Sequence, residues 1–383
     1  MILFADAAVA EGGEGDGPSA EQIARVEERR ASFPVARLVE SIDWYQPLVN
    51  VPGRPSSFPR RRVLVANLEP ELRAFASETD SFALLVAREG RLIHEYYAPG
   101  FTRTSRFDTA SMHKAIVSLL IGAAIADGAI NSVDDPLSRY LPNLPDDGRG
   151  SITLRQLLEM RSGLQTPPVS ESAASPYWQT YFGNNLDWSI ARWPMHPETR
   201  DTFYYANANT QYLLWVLQRS TGQQYVDYLS RRLWQPIGAQ DARLWLDREG
   251  GSPRGFCCLQ ASARDWLRIG ELIRNQGKWR GESLIPAEWV EAMLAPSIAN
   301  PNFGRNIWRG SPYAPTRTYG PGVPAVVRSA EPFQRDDTVF IDGSGGQRVY
   351  VIPSEGLTIV RIGRPQQDWD DSRLPNLVVG LVQ

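Results

Sequence analysis

The chain has 383 residues, 42% of them hydrophobic and 22% charged, with 31 glycines, 29 prolines and a formal net charge of −3. A chain of this length can bury roughly three quarters of the surface it exposes when unfolded, so it needs no metal or disulfide to hold a core, and its composition excludes intrinsic disorder and collagen-like structure. Forty basic against 43 acidic residues leave no global field to attract nucleic acid or an anionic membrane, so neither is expected as a partner.

Met1 to Ala10 is apolar apart from Asp6 and ends in Ala8-Val9-Ala10. This is similar to the end of a signal peptide without its basic start, which leaves periplasmic or secreted and cytoplasmic locations equally open. Glu11 to Ser19 is rich in glycine and acidic residues, and Glu21 to Arg30 reads as a polar helix, so residues 1–35 are expected to form a tail or surface strap ahead of a domain over 36–383. Arg60-Arg61-Arg62 reads as a solvated crossing between segments.

Phe82 to Ala87, the turn Arg88-Glu89-Gly90-Arg91, and Leu92 to Tyr97 make a strand–turn–strand pattern, a β-hairpin. Asp108 and Thr109 offer N-caps for a helix over about Ala110 to Ile125, closed by Gly128 and apolar nearly all round, hence buried. The longest apolar stretch, Ala115 to Ile130, is interrupted by Ser118, Asp127 and two glycines, so no transmembrane span is expected. Ile152 to Asp247 mixes helical patterns, including Leu154 to Met160 and Gln211 to Arg219, with proline-rich and aromatic loops. Arg264 to Asn275 reads as a further helix, Thr338 to Ile341, Arg348 to Ile352 and Thr358 to Ile362 as strands, and Leu374 to Leu381 as a closing helix.

Early strands, a helical middle and late strands predict an α/β (α+β) fold. Its central antiparallel sheet, from about 60–140 and 255–383, is flanked by helices and interrupted by a mostly helical lobe over about 141–254. The adjacent Cys257 and Cys258 are not expected to pair, because neighbouring residues fit disulfide geometry poorly. His94, His113 and His196 are too few and too scattered for a metal cluster and read as structural.

Only Lys114 and Lys278 are lysines; every other basic residue is arginine. Lys278 lies in the polar turn Asn275-Gln276-Gly277-Lys278 and reads as solvated. Lys114 stands three residues after Ser111 on the helix expected to be buried, so its amine can approach the Ser111 hydroxyl while the helix N-terminus favours negative charge there. Such an amine acts as a base only if burial depresses its pKa by several units. Tyr205 and Asn207 lie two residues apart before an apolar helix, and Ile341-Asp342-Gly343-Ser344-Gly345-Gly346-Gln347 closes a strand with glycines that admit a ligand close to the backbone.

These three elements, in this order, resemble the S-x-x-K, Y-x-N and third motifs of the serine β-lactamase and penicillin-binding-protein superfamily, in its class C-like esterase and 6-aminohexanoate-dimer hydrolase branch. The resemblance runs from about Phe82 to Val379 and includes Leu154 to Leu164, Ser220-Thr221-Gly222 and Ala263-Arg264-Asp265. It implies Ser111 as the acylated nucleophile, Lys114 as its base, and Tyr205 as proton relay to the leaving group. Asn207 would bond Lys114 or a substrate carbonyl, and Gly343 and Ser344 would line an oxyanion hole built from the backbone N–H groups of Ser111 and Ser344.

The same resemblance implies an acyl-enzyme hydrolase of carboxylic esters or small linear amides, with no metal or organic cofactor and an open oligomeric state. Its alternatives are a β-lactamase or D-Ala-D-Ala carboxypeptidase, and a non-catalytic penicillin-receptor-like module. The chain departs from the family where K-T-G or H-x-G gives way to Ile341-Asp342-Gly343, which removes the cation that grips a substrate carboxylate. Asp342 should repel such substrates unless Arg348 or another arginine compensates. Tyr177, Trp178, Tyr181, Phe182, Trp188 and Trp193 crowd the region of the family's substrate pocket, either as a binding wall or as packing of the lobe.

Overall fold

The computed structural model describes residues 17–60 and 67–383, so Met1 to Ala10 and the second and third arginines of the Arg60–Arg62 run lie outside the described residues. A six-stranded antiparallel sheet runs in the order Arg91–Tyr97, Ser81–Arg88, Leu357–Gly363, Gln347–Ile352, Val339–Gly343, Trp308–Arg309. The expected hairpin forms, with Glu89 and Gly90 at positive φ in its turn. Its first strand pairs with the last strand of the chain, Leu85 opposite Val360, so the two ends of the sequence build one sheet.

Ser81–Arg88 is buried on both faces, which explains its continuous apolar run. Its side chains alternate between two cores. Leu84 and Val86 face one built with the helices Leu68–Glu78 and Arg373–Val382; Ala83, Leu85 and Ala87 face the other, under the helices His113–Ala126 and Ala263–Arg274. Gly270 lets the last of these lie close to the sheet, since a Cβ there would stand 2.4 Å from the Thr358 methyl carbon. Among the described residues no helix is long and apolar enough to cross a membrane.

A second, four-stranded sheet orders Leu48–Val51, Ala242–Trp245, Leu259–Ser262, Arg106–Asp108. Its last strand delivers the chain directly into the Ser111 turn. The polar helix extends over Ala20–Ser32, begun by a reciprocal capping box between Ser19 and Gln22, and it is packed on the protein through buried Val26. Phe33, just beyond it, joins an aromatic cluster with Trp44 and Phe182.

One expectation is corrected here. Cys257 and Cys258 form a vicinal disulfide, in a turn where Cys258 takes a left-handed backbone with φ of 72°, a conformation that adjacency alone did not suggest.

Leu85→Ala, at a fully buried position shared by sheet and helices, should cost about 2–5 kcal/mol. Guanidinium unfolding measures this, and an unchanged midpoint would contradict the packing described.

Candidate active site

The Ser111 turn is a single 3-10 turn, Ala110–Met112, that opens the His113–Ala126 helix. Ala110 has φ of 50°, a left-handed conformation that costs a non-glycine residue roughly 1–2 kcal/mol. Both sides of its peptide are held. Asp108 Oδ1 accepts from the Ala110 N–H at 2.7 Å, and the Ala110 carbonyl accepts from the Cys258 N–H at 3.3 Å. Asp108 is itself buried, which pushes its carboxyl up to about 7.

Lys114 lies one turn on, only 2% exposed. Its Nζ donates to Ser111 Oγ at 2.8 Å and to the Phe256 carbonyl at 2.7 Å, and it sits 4.9 Å from the centre of the Tyr205 ring. Burial lowers its pKa from the usual 10.5 to about 7, against the opposing pull of the Asp342 charge. The amine is therefore half neutral near pH 7.

His113, next in line, is buried and held neutral, its pKa lowered to about 4 chiefly by burial. Its Nδ1 lies 3.2 Å from the Cys257 carbonyl, which can only accept, so Nδ1 carries the proton and Nε2 accepts from the Tyr225 hydroxyl at 2.7 Å. Successive carbonyls of Phe256 and Cys257 thus grip Lys114 and His113. His113 is thus held as a neutral, doubly hydrogen-bonded ring beside Lys114.

Tyr205 projects toward Ser111 from the segment before the Asn207–Thr221 helix. Its N–H donates to the Tyr319 carbonyl at 2.7 Å and its ring packs on Tyr319, Trp308 and Phe303. Burial holds its phenol well above 10, with the charge of Asp342 acting in the same sense, so Tyr205 keeps its proton. Of the two partners expected of Asn207, Lys114 is not the one it bonds: its Nδ2 donates to the Tyr181 hydroxyl at 2.9 Å, and the residue lines the cleft where a substrate carbonyl would lie. The Leu154–Leu164 segment supports this motif from behind: the Met160 carbonyl accepts from the Tyr204 N–H at 2.7 Å, and Ser162 Oγ donates to Asn209 Oδ1 at 2.6 Å.

Gly343 and Ser344 close the site from the sheet. A Cβ on Gly343 would lie 2.3 Å from the Thr109 carbonyl, so only glycine lets the Val339–Gly343 strand touch the Ser111 turn. Ser344 follows, exposed, with Gly345 and Gly346 at positive φ.

Asp342 has the arginine compensation without which it was expected to repel anionic substrates. It is buried between Arg317, at 3.2 Å, and Arg348, and it accepts from the Tyr319 hydroxyl at 2.7 Å. Asp371 joins both arginines from the other side, at 2.7 and 2.8 Å. Burial alone would raise the Asp342 pKa, but the two guanidinium groups outweigh it and hold the carboxyl below its ordinary value. Two cations and two anions cancel in one buried tetrad.

The cleft above Ser111 has two adjoining parts, which share Ser111, Tyr181, Asn207 and Ser344. One, about 240 Å³, is lined further by Tyr205, Tyr319, Asp342 and Thr166. The other, about 670 Å³, is aromatic and includes Tyr177, Trp178 and Phe182, with the vicinal disulfide on its wall. Trp193 is fully buried in the core instead, its Nε1 donating to Thr180. Sequence reasoning did not identify Arg317, Tyr319, the Phe256 carbonyl or Phe33 as site components.

Breaking the tetrad by Asp342→Asn leaves the Arg317 and Arg348 charges less than balanced and should destabilise the fold by about 3–5 kcal/mol. Urea unfolding would reveal it; a variant as stable as the parent would show that the buried charges do not depend on one another.

A 6-aminohexanoate-dimer hydrolase from Paenarthrobacter ureafaciens is 29% identical over 256 residues, which are 64% of this chain and 64% of that protein; the chain thus spans just under two thirds of that relative's length. Among solved structures, a Bacillus anthracis protein assigned as a 6-aminohexanoate-dimer hydrolase superposes with a TM-score of 0.73 at 17% identity, covering 96% of this chain and 97% of that one. EstCE1, a hydrolase with promiscuous acyltransferase activity, superposes with a TM-score of 0.60 at 17% identity, covering 82% and 97%. At such identities these two likenesses establish the fold. The Beta-lactamase family model matches residues 66–369, most of the chain, including Ser111, Lys114, Tyr205, Asn207, Gly343 and Ser344, and the protein accordingly belongs to the Beta-lactamase family.

Proposed function

We propose that the protein is a serine hydrolase that forms an acyl-enzyme at Ser111 and cleaves carboxylic esters or small linear amides. The observation that carries this reading is a deeply buried amine, Lys114, 2.8 Å from the Ser111 hydroxyl and poised near neutrality. Kinship with a 6-aminohexanoate-dimer hydrolase supports the linear-amide side of the reading.

In the proposed mechanism neutral Lys114 takes the Ser111 proton as Oγ attacks the substrate carbonyl. The N–H groups of Ser111 and Ser344 then receive the oxyanion, and the N-terminal end of the His113–Ala126 helix favours the same charge. The tetrahedral intermediate collapses as the Tyr205 phenol gives its proton to the leaving group and regains one from Lys114. Water repeats the sequence on the acyl-enzyme and frees Ser111. Asn207, whose amide donates to the Tyr181 hydroxyl, would position the substrate in this mechanism.

A β-lactamase or carboxypeptidase reading is less well supported. Those substrates carry a carboxylate, and the smaller part of the cleft is lined by no lysine or arginine among the described residues, Arg317 and Arg348 being engaged with Asp342 and Asp371 behind it. A module that is acylated but never hydrolyses would give a burst without steady turnover.

A fluorophosphonate should label Ser111 alone, as mapped by mass spectrometry, and Ser111→Ala should abolish ester turnover; labelling elsewhere in active protein would remove the mechanism. Because the neutral amine is the active form, kcat/KM should fall about tenfold per pH unit below about pH 7 as Lys114 gains a proton. Removing the Asp342 charge takes away what stabilises the cationic amine, so Asp342→Asn should move this acid limb to lower pH; a shift to higher pH would contradict the electrostatics.

A further inference from the structure

The two parts of the cleft differ in chemistry, and the position of Tyr205 sets the direction of the substrate between them. On the hydrolase reading, on which this inference rests, the leaving group collects its proton from Tyr205. That residue lines only the small polar part, together with Tyr319 and Asp342. The departing alcohol or amine therefore lies there. The acyl group is left with the larger, aromatic part, whose volume of about 670 Å³ is far more than an acetyl group fills and falls in the range of cavities that bury drug-sized ligands.

One side of that larger part comes from outside the stretch matched by the family model. The model begins at residue 66, whereas Arg30, Phe33 and Val35 from the N-terminal strap, with Leu38 just beyond it, line the pocket. These residues are fixed in place. Phe33 packs on Trp44 and Phe182 at centroid distances of 5.1 and 5.2 Å. The Arg30 guanidinium lies 4.1 Å over the Trp178 ring, whose Nε1 donates to the Ser170 carbonyl at 2.6 Å. Val35, 67% exposed, leaves an apolar side chain at the mouth.

We infer that the N-terminal strap is the acyl-specificity wall of the enzyme, and that the substrates are esters or amides of a bulky apolar acyl group, aryl or medium-chain, joined to a compact polar alcohol or amine. Phe33 is the principal residue of this wall because its apolar ring lines the pocket while packing on both Trp44 and the lining residue Phe182.

The test is a series of 2-hydroxyethyl esters, from acetate to octanoate with phenylacetate added, followed by pH-stat titration of the released acid. The parent protein should show kcat/KM rising at least tenfold from acetyl to octanoyl. In Phe33→Ala the octanoyl-to-acetyl ratio should collapse at least tenfold, carried mainly by KM, whereas a merely structural role would lower both esters alike and keep the ratio.

Val35→Glu, a substitution at an exposed position, should depress the octanoyl ester selectively and keeps the proposal testable should Phe33→Ala fail to fold. A flat or falling series in the parent, or a ratio unchanged in both variants, would overturn the inference. If Ser111 labels with fluorophosphonate and short esters turn over without chain-length preference, only the acyl wall fails; if Ser111 neither labels nor turns over any ester, the hydrolase reading fails and takes the wall with it.

Discussion

Everything in the site depends on keeping one primary amine out of water. Transfer of an ammonium into hydrocarbon is costly, and the cheapest relief is loss of the proton. Lys114 is surrounded by apolar neighbours on a helix with no polar face, and the Phe256 carbonyl offers it a partner that accepts a hydrogen bond from the amine in either protonation state. A carboxylate in that position would have stabilised the charge and ended the amine's use as a base. The carbonyl satisfies the amine without fixing its charge, and the remaining direction points at Ser111 Oγ.

The tetrad around Asp342 solves the opposite problem. An unpaired carboxylate this close to Lys114 would pull the amine back toward its charged form and be expensive to bury. Arg317 and Arg348 pair with it, Asp371 pairs with them in turn, and the pull of Asp342 on the Lys114 pKa is outweighed by desolvation. The same arrangement ties the third-motif strand into a charge-balanced cluster behind the cleft.

Much of this was legible in the sequence where the information is local. The Ser81–Tyr97 hairpin, the three late strands and the buried helix after Ser111 follow from periodicity and turn residues that act over a few positions, and the S-x-x-K spacing puts Lys114 on the face of Ser111 because a helix repeats every 3.6 residues. What was not legible depends on long-range pairing. Leu48–Val51 is four residues long, too short to announce itself, and becomes a strand only because Ala242–Trp245 lies beside it. Arg317 is one arginine among many, and no local signal ties it to Asp342. The vicinal disulfide needed the unusual backbone of Cys258, which adjacency argues against. Phe33 read as part of a tail because its partners, Trp44 and Phe182, meet only in the fold.

The central claim is that Lys114 is neutral when the enzyme works, and the sequence makes it measurable: Lys114 and Lys278 are the only lysines. Protein labelled with 13C and 15N in lysine should give two side-chain signals in a pH titration by NMR. The account predicts one titrating near pH 7 that moves or vanishes in Lys114→Met, and one near the ordinary lysine value. Two signals that both titrate above pH 10 would contradict it.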